Sequence, residues 1–153
     1  MVLEIGKKLA QNEKTISTAE SCTGGLIGAE FTAVSGSSNW YKGGVIAYSN
    51  EIKEQVLSVP KEILLKEGAV SSKVVFEMAN RVSNLFQTDY AISVSGIAGP
   101  TGGSIEKPVG LVFIGIKTPN DIFTYKCNFD GGRESVRAQS VNFALDKMLK
   151  TIR

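Results

Sequence analysis

The sequence predicts an α/β domain with three layers, in which a mixed, mostly parallel β-sheet lies between two layers of helices. Segments with helical spacing of apolar residues alternate with short β-prone runs along the 153 residues. The last two predicted strands are joined by the turn signal TPND, which reverses the chain and makes one strand antiparallel. No repeat, low-complexity segment or linker divides the chain. Residues 1–153 are therefore expected to form a single domain.

Apolar periodicity predicts six helices. The clearest follows a cap at Ser71 or Ser72, because Val75, Met78 and Ala79 begin a series of apolar residues at helical spacing. Pro60 separates the third helix from the fourth. The helices are predicted, in chain order, over residues 3–10 and 25–34, after a cap at Asn50, over 63–66, after Ser71 or Ser72, and after the segment GGRES.

Five β-prone runs lie between these helices. Each combines β-branched or aromatic residues with flanking turn signals, which is typical of short buried strands. The strand YAISVS runs directly into the glycine-rich loop GIAGPTGG. The strands are predicted over residues 15–19, 44–49, 90–95, 109–117 and 122–128.

The composition is that of an ordinary globular domain, with 42% hydrophobic and 21% charged residues. A net charge of +2 is too small to indicate binding to nucleic acid or to a membrane surface. The mixed charges of the first residues do not resemble a signal peptide. Cys22 and Cys127 lack metal-ligand spacing, so they are expected to be free thiols in a reducing cytoplasm, with no metal site.

The segment TAESCTGG, residues 18–25, joins a predicted strand to a predicted helix. The first N–H groups of a helix have no partner within it, so this junction could hold a nucleophile, an anion or both. The candidate nucleophiles are Ser21 and Cys22. The chain contains no histidine, which excludes a Ser-His or Cys-His pair. A serine here would need a lysine with a lowered pKa, or a tyrosine relay, as its base.

Two further polar segments follow predicted strands, namely YSNEIK and GIAGPTGGSIEKPVG. Loops at the carboxyl ends of parallel strands gather on one side of the sheet. The three segments are therefore expected to meet in one cleft.

These segments resemble the CinA C-terminal domain family, whose stand-alone members include nicotinamide-nucleotide amidases. The resemblance lies in TAESCTGG (18–25), GGVIAYSNEIK (43–53), EGAVS (67–71), GIAGPTGGSIEKPVG (96–110) and, more weakly, FDGGRESVR (129–137). It extends from about Thr15 to the end of the chain. Each motif alone is weak, whereas their combination is specific.

The resemblance implies hydrolysis of the carboxamide of nicotinamide mononucleotide to nicotinate mononucleotide and ammonia, without a cofactor. It also implies five strands in the sheet and, commonly, a homodimer. Larger relatives carry the same domain behind an additional N-terminal domain, which 153 residues are not expected to accommodate.

On this resemblance Ser21 is expected to be the nucleophile and Lys53 its base, since Lys53 occupies the lysine position of the family's YSN-x-x-K motif. Tyr48 is expected to orient Lys53 or to relay a proton. The other predicted site residues are expected to bind the oxyanion and the nucleotide phosphate. They would do so through backbone N–H groups, one hydroxyl and two guanidinium groups. They are Thr23, Gly24, Gly25, Gly99, Thr101, Gly102, Gly103, Arg133 and Arg137.

The chain departs from the family at GGR, residues 131–133, where relatives usually read GDR. If that aspartate orients the arginine, phosphate binding would be weaker in this chain. A non-catalytic nucleotide-binding domain is therefore an alternative. A role in DNA uptake or damage response, which the family's historical name suggests, is not supported by the charge.

Simpler roles also remain open for the candidate residues. Ser21 could cap the following helix, and Lys53 could be an ordinary solvated lysine. Glu20 could cap the helix or hold a water molecule. Cys22 could be the nucleophile, because amidases of another class use a Glu-Lys-Cys set.

Overall fold

The computed structural model describes all 153 residues, which form six α-helices and five β-strands. The helices are α1 (Val2–Gln11), α2 (Leu26–Thr32), α3 (Asn50–Gln55), α4 (Lys61–Glu67), α5 (Ser72–Phe86) and α6 (Arg133–Thr151). The strands are β1 (Ile16–Glu20), β2 (Tyr41–Ile46), β3 (Tyr90–Gly96), β4 (Leu111–Lys117) and β5 (Ile122–Asn128). None of the helices is long and apolar enough to cross a bilayer.

The strands form one mixed sheet in the order β2-β1-β3-β4-β5. β1 pairs in parallel with β2 and β3, with Ile16 opposite both Tyr41 and Tyr90. β4 pairs antiparallel with β3 and with β5. Four strands therefore point the same way and β4 alone is reversed, as the hairpin signal predicts. The prediction of an α/β fold with a mixed, five-stranded sheet is confirmed.

Two hydrophobic clusters cover the two faces of the sheet. One contains residues of α1, α2 and α6, among them Leu9, Phe31 and Leu145. The other contains residues of α4 and α5, with Leu64 and Met78 as members. The sheet thus lies between two helical layers, and the central strands β1 and β3 are buried on both faces.

Helix α5 begins where the sequence places a cap. The Ser71 hydroxyl accepts a hydrogen bond of 3.3 Å from the Val74 amide, so Ser71 rather than Ser72 is the capping residue. Val75, Met78 and two further apolar residues of the predicted face are fully buried. α5 packs across β1, β3, β4 and β5, which makes it the principal helix of its layer.

Strand β2 begins three residues earlier than the predicted start at Gly44 and ends at Ile46 instead of Ser49. The Tyr41 hydroxyl lies 2.9 Å from Thr18 Oγ1, which ties the start of β2 to β1. A Cβ atom on Gly44 would overlap Thr18 Oγ1, so glycine is required at this position. Sequence periodicity misses this start because two glycines interrupt the β-prone pattern.

The cap of helix α3 also differs by one residue. The Ser49 side chain, not that of Asn50, accepts a hydrogen bond from the Ile52 amide at 3.2 Å. The first turn of α3 therefore starts at Asn50, and Lys53 lies at its fourth position.

The connection from β1 through α2 leads to β2 on one side of β1, whereas β3 lies on its other side. From β1, the chain thus adds its next strand on one side of the sheet and the strand after that on the other side. The loops at the carboxyl ends of these two strands therefore separate and leave a crevice, as in other open α/β sheets. Ser21 follows β1 at this point.

Candidate active site

A cleft with a volume of about 280 Å³ lies at the carboxyl ends of β1 and β3. It brings together residues from the loop after β1, from α3 and the loop before it, from the loop before α5, and from the start of α6. Its lining residues are Ser21, Cys22, Tyr48, Lys53, Ala69, Val70, Ser95, Gly96, Ala98 and Arg133. The three predicted catalytic residues and one of the two predicted arginines are thus in the same cleft.

Ser21 and Lys53 are joined by a hydrogen bond of 3.1 Å between Oγ and Nζ, across 32 residues of sequence. The Ser21 amide donates to the Val94 carbonyl at 2.9 Å, so the serine is fixed against β3. Lys53 Nζ donates a second hydrogen bond of 2.8 Å to the Ala47 carbonyl. Both ends of the pair are therefore held by the backbone next to the sheet.

Lys53 is 1% exposed and has no carboxylate partner among the ion pairs of the structure. Burial disfavours the charged amine and lowers the pKa of Lys53 from 10.5 to about 8, and the nearby Cys22 thiol opposes this with a smaller effect. About a tenth of Lys53 is then neutral at pH 7, and about half at pH 8. Such an amine can accept the proton of the Ser21 hydroxyl.

Glu20 is 1% exposed, and its carboxylate lies at the start of α2. Oε2 accepts hydrogen bonds from the Thr23 hydroxyl at 2.6 Å and from the amides of Gly25 and Ile27, each at 3.1 Å. Oε1 accepts from the Gly28 amide at 2.9 Å. This charge stabilises the N-terminus of α2 and occupies the donors that a substrate anion would use. Glu20 therefore has the capping role.

Three of the groups that Thr23, Gly24 and Gly25 could offer to a substrate are hydrogen-bonded within the turn. The Thr23 hydroxyl and the Gly25 amide bind Glu20. The Gly24 amide donates to the Ser21 carbonyl at 3.0 Å. Because these donors are used within the turn, they are not available for the phosphate cradle that the glycines suggest.

One backbone donor of this turn remains available to the cleft. The amides of Cys22 and Thr23 donate to no backbone carbonyl, and the Cys22 amide lies beside its own thiol. Thr23 is fully buried, whereas Cys22 lines the cleft. The Cys22 N–H, next in the chain to Ser21, is therefore the group that can bind an oxyanion forming at the serine.

The Cys22 side chain is only 5% exposed and belongs to the hydrophobic cluster beneath α1, α2 and α6. Burial raises the pKa of its thiol from 9.0 to about 11. The thiolate, which is the reactive form, is therefore rare at neutral pH. This environment favours the serine over the neighbouring thiol as the nucleophile.

Tyr48 lies at the mouth of the cleft, with 61% of the residue exposed. Its hydroxyl accepts a hydrogen bond of 3.0 Å from Arg133 Nη2. Arg133 Nη1 donates to the Gly99 carbonyl at 2.9 Å. The expected contact between Tyr48 and Lys53 is therefore replaced by one with Arg133, which ties the rim of the cleft to the glycine-rich loop.

Arg137 lies one helical turn after Arg133 and has different partners. Its Nε donates to the Cys22 carbonyl at 3.0 Å, and its Nη2 donates to the Thr23 carbonyl at 3.3 Å. It does not line the cleft. The guanidinium group of Arg137 thus binds the turn that carries Ser21, outside the cleft where a phosphate contact is predicted for it.

The glycine-rich loop meets the cleft only at its beginning. Gly99 is buried with φ +80°, and a Cβ atom there would lie 2.5 Å from Val109 Cγ1, so glycine is required. Thr101, Gly102 and Gly103 are exposed and outside the cleft lining. Their role in substrate binding stays a prediction.

Three features of the cleft were not predicted from sequence. They are the Ala47 carbonyl that binds Lys53, the wall formed by Ala69 and Val70, and the binding of Arg137 to the backbone. The motif EGAVS contains both wall residues, so the resemblance marks that segment without assigning it a role. The structure contains no group of three or more His, Cys, Asp or Glu side chains that could hold a metal ion.

Comparison with known proteins agrees with this architecture. The CinA C-terminal domain family matches residues 1–152. A CinA-like protein of Prochlorococcus marinus is 51% identical over 148 residues, which are 95% of this chain and 34% of that protein. A CinA-like protein of Endomicrobium trichonymphae is 48% identical over 147 residues, which are 96% of this chain and 34% of that protein. The chain thus spans about a third of the length of these relatives.

A solved structure is also similar over nearly the whole chain. The crystal structure of the competence damage-inducible protein A from Klebsiella pneumoniae has a TM-score of 0.95 and 35% sequence identity. The match covers 98% of this chain and 93% of that chain. On both the sequence and the fold, this chain belongs to the CinA C-terminal domain family.

Proposed function

We propose that this domain is a nicotinamide-nucleotide amidase, which hydrolyses the carboxamide of nicotinamide mononucleotide to nicotinate mononucleotide and ammonia. The observation that carries the proposal is the hydrogen bond of 3.1 Å between Ser21 and a buried Lys53 with a lowered pKa. Amide hydrolysis requires a nucleophile and a base, and in this pair the serine hydroxyl is the nucleophile and the buried lysine is the base.

In the acylation step, neutral Lys53 takes the proton of Ser21 while Oγ attacks the carboxamide carbon. The C=O double bond becomes a single bond to an oxyanion, which the Cys22 N–H stabilises. When the tetrahedral intermediate collapses, the C–N bond breaks. Protonated Lys53 then donates its proton to the departing nitrogen, so that ammonia leaves and an acyl ester on Ser21 remains.

The deacylation step repeats this cycle with water as the nucleophile and Ser21 as the leaving group. Neutral Lys53 takes a proton from a water molecule, whose oxygen attacks the ester carbon. The second tetrahedral intermediate expels Ser21 Oγ, which recovers its proton from Lys53. The sum of the two steps consumes one amide and one water and releases a carboxylic acid and ammonia, so no oxidant or reductant is needed.

Arg133 supports the choice of a nucleotide as substrate. It lies exposed at the rim of the cleft, where two of its N–H groups bind Gly99 and Tyr48. Three of its five N–H donors then remain for an anion. A guanidinium group with free donors matches the geometry of a phosphate, which this substrate carries. The salt bridges of the structure do not include Arg133, so its charge is not neutralised by a carboxylate.

Incubation of the purified protein with nicotinamide mononucleotide, followed by measurement of ammonia, tests the proposal. We expect release that depends on both Ser21 and Lys53, with Ser21→Ala and Lys53→Met at the background rate. Wild-type release no faster than that of Ser21→Ala would overturn the proposal. Calorimetry with the same nucleotide then distinguishes a non-catalytic binding domain, which would bind without producing ammonia.

A further inference from the structure

Two arginines lie one turn apart on α6 and serve different parts of the cleft. Arg133 reaches the rim, where it binds the Gly99 carbonyl and the Tyr48 hydroxyl. Arg137 reaches the turn after β1, where it binds the carbonyls of Cys22 and Thr23. Because residues four apart project from the same side of a helix, both side chains extend from one face of α6 toward the site.

We propose that Arg137 is a positioning residue for the reaction at Ser21, acting through the turn rather than through the substrate. This inference rests on the proposed amidase function. The sequence pattern predicts that the Arg137 guanidinium group binds the phosphate, whereas this inference gives it the role of holding the turn after Ser21. Arg133 is then the arginine of α6 that contacts the nucleotide.

The hydrogen bonds of the turn identify what Arg137 contributes. The Ser21 amide is held by Val94, and the Ser21 carbonyl accepts from the Gly24 amide. The Cys22 carbonyl accepts a hydrogen bond only from Arg137. Without this side chain, the carbonyl of an almost completely buried residue would lose its partner.

The fixed carbonyl belongs to Cys22, the cleft-lining residue whose amide donates to no backbone carbonyl. Because each peptide group is planar, the Cys22 N–H shares a plane with the Ser21 carbonyl, which the Gly24 amide binds, and the Arg137 hydrogen bond fixes the following plane. The two hydrogen bonds together set the backbone dihedrals of Cys22. The guanidinium group also lies close to the turn, since a Cβ atom on Gly24 would be 3.4 Å from Arg137 Nη2. Arg137 thus braces the turn that follows Ser21 and carries the oxyanion donor.

Steady-state kinetics with nicotinamide mononucleotide separate positioning from substrate binding. We expect Arg137→Ala to lower kcat by up to about 100-fold with KM changed by less than about threefold, as small displacements of reacting groups do. Arg133→Ala should instead raise KM by more than about tenfold, because it removes a contact to the phosphate. A raised KM with unchanged kcat in Arg137→Ala, or wild-type kinetics, would overturn the inference.

Arg137→Lys keeps the charge and provides a variant that folds if Arg137→Ala does not. A lysine ammonium cannot reproduce the planar fork of the guanidinium group on two carbonyls. We therefore expect a kcat between those of the wild type and Arg137→Ala, at an unchanged KM. Arg81→Ala, which removes an arginine paired with Glu77 on α5, is the matched control for loss of a guanidinium group.

A test without the nucleotide separates this inference from the proposed function. The rate at which a small alkyl fluorophosphonate labels Ser21 requires the activated hydroxyl and the oxyanion donor but no amide substrate. We expect slower labelling in Arg137→Ala and the wild-type rate in Arg81→Ala. In parallel, the amide chemical shifts of Cys22 and Thr23 should change in Arg137→Ala. Unchanged shifts would overturn the inference even if the wild-type protein proved inactive on the nucleotide.

Discussion

The Ala47 carbonyl accepts a hydrogen bond of 2.8 Å from Lys53 Nζ, and this bond determines how Lys53 faces Ser21. A neutral amine has two N–H groups and one lone pair. When one N–H binds Ala47, the lone pair can turn toward the hydroxyl of Ser21, which lies 3.1 Å from the same nitrogen. The Ala47 carbonyl thus orients the amine of Lys53 so that it can act as a base.

The pH dependence of the activity should report the ionisation of Lys53. The pKa of this lysine is lowered to about 8, and the reaction requires the neutral amine. We expect kcat/KM for nicotinamide mononucleotide to rise about tenfold per pH unit below this value and to become constant above it. Lys53→Arg should be inactive across the range, because a guanidinium group stays charged. A profile that is flat between pH 6 and 9 would contradict Lys53 as the base.

The same lysine should make the stability of the protein depend on pH. Its pKa in the folded protein, about 8, is below its ordinary value of 10.5. Between these values the unfolded chain holds a proton that the folded protein has lost, so the free energy of unfolding rises with pH. Lys53→Met removes this contribution. We expect the stability of the wild type relative to Lys53→Met to increase by up to about 3 kcal/mol between pH 7 and 10.5.

Chemical denaturation at several pH values measures this difference. Lys42→Met, which removes an exposed lysine of β2, controls for the loss of one positive charge. If the difference between the wild type and Lys53→Met does not increase with pH, burial does not hold Lys53 in its neutral form.

The roles of the two candidate nucleophiles can be separated by alanine substitution. Burial raises the pKa of Cys22 to about 11, so its thiol stays protonated at neutral pH. We expect Cys22→Ala to keep most of the amidase activity and to lose about 1 kcal/mol of stability, since it leaves a small gap in the core. Ser21→Ala should lose at least about 1,000-fold in kcat. Equal losses in ammonia release would indicate a reaction at the thiol.

The sequence predicts the elements of this site better than the contacts among them. The pairing of Ser21 with Lys53 follows from the absence of histidine and from a resemblance that covers both segments. The partners of Arg137 could not be predicted, because they lie 114 and 115 residues away and depend on how α6 docks against the turn. The capping role of Glu20 could be considered from sequence, because the groups that donate hydrogen bonds to its carboxylate lie within the next eight residues.

Gly132 lies at the position where relatives usually have aspartate. Gly132 is the N-cap residue of α6, with φ −78° and ψ 178°, and it provides no side-chain cap. Nothing lies within 4 Å of a Cβ atom built there, so an aspartate would fit without strain. Arg133 is already held by Gly99 and Tyr48, which makes an additional carboxylate unnecessary for its orientation.

We therefore expect Gly132→Asp to act on stability and not on substrate binding. An aspartate cap in place of glycine should increase the free energy of unfolding by a few tenths of a kcal/mol and leave KM within about twofold of the wild type. Gly132→Asn, which caps the helix without a charge, distinguishes capping from an effect on Arg133. A KM lowered about tenfold by aspartate but not by asparagine would instead mean that the missing carboxylate orients the arginine, and that this chain binds the phosphate less tightly for lack of it.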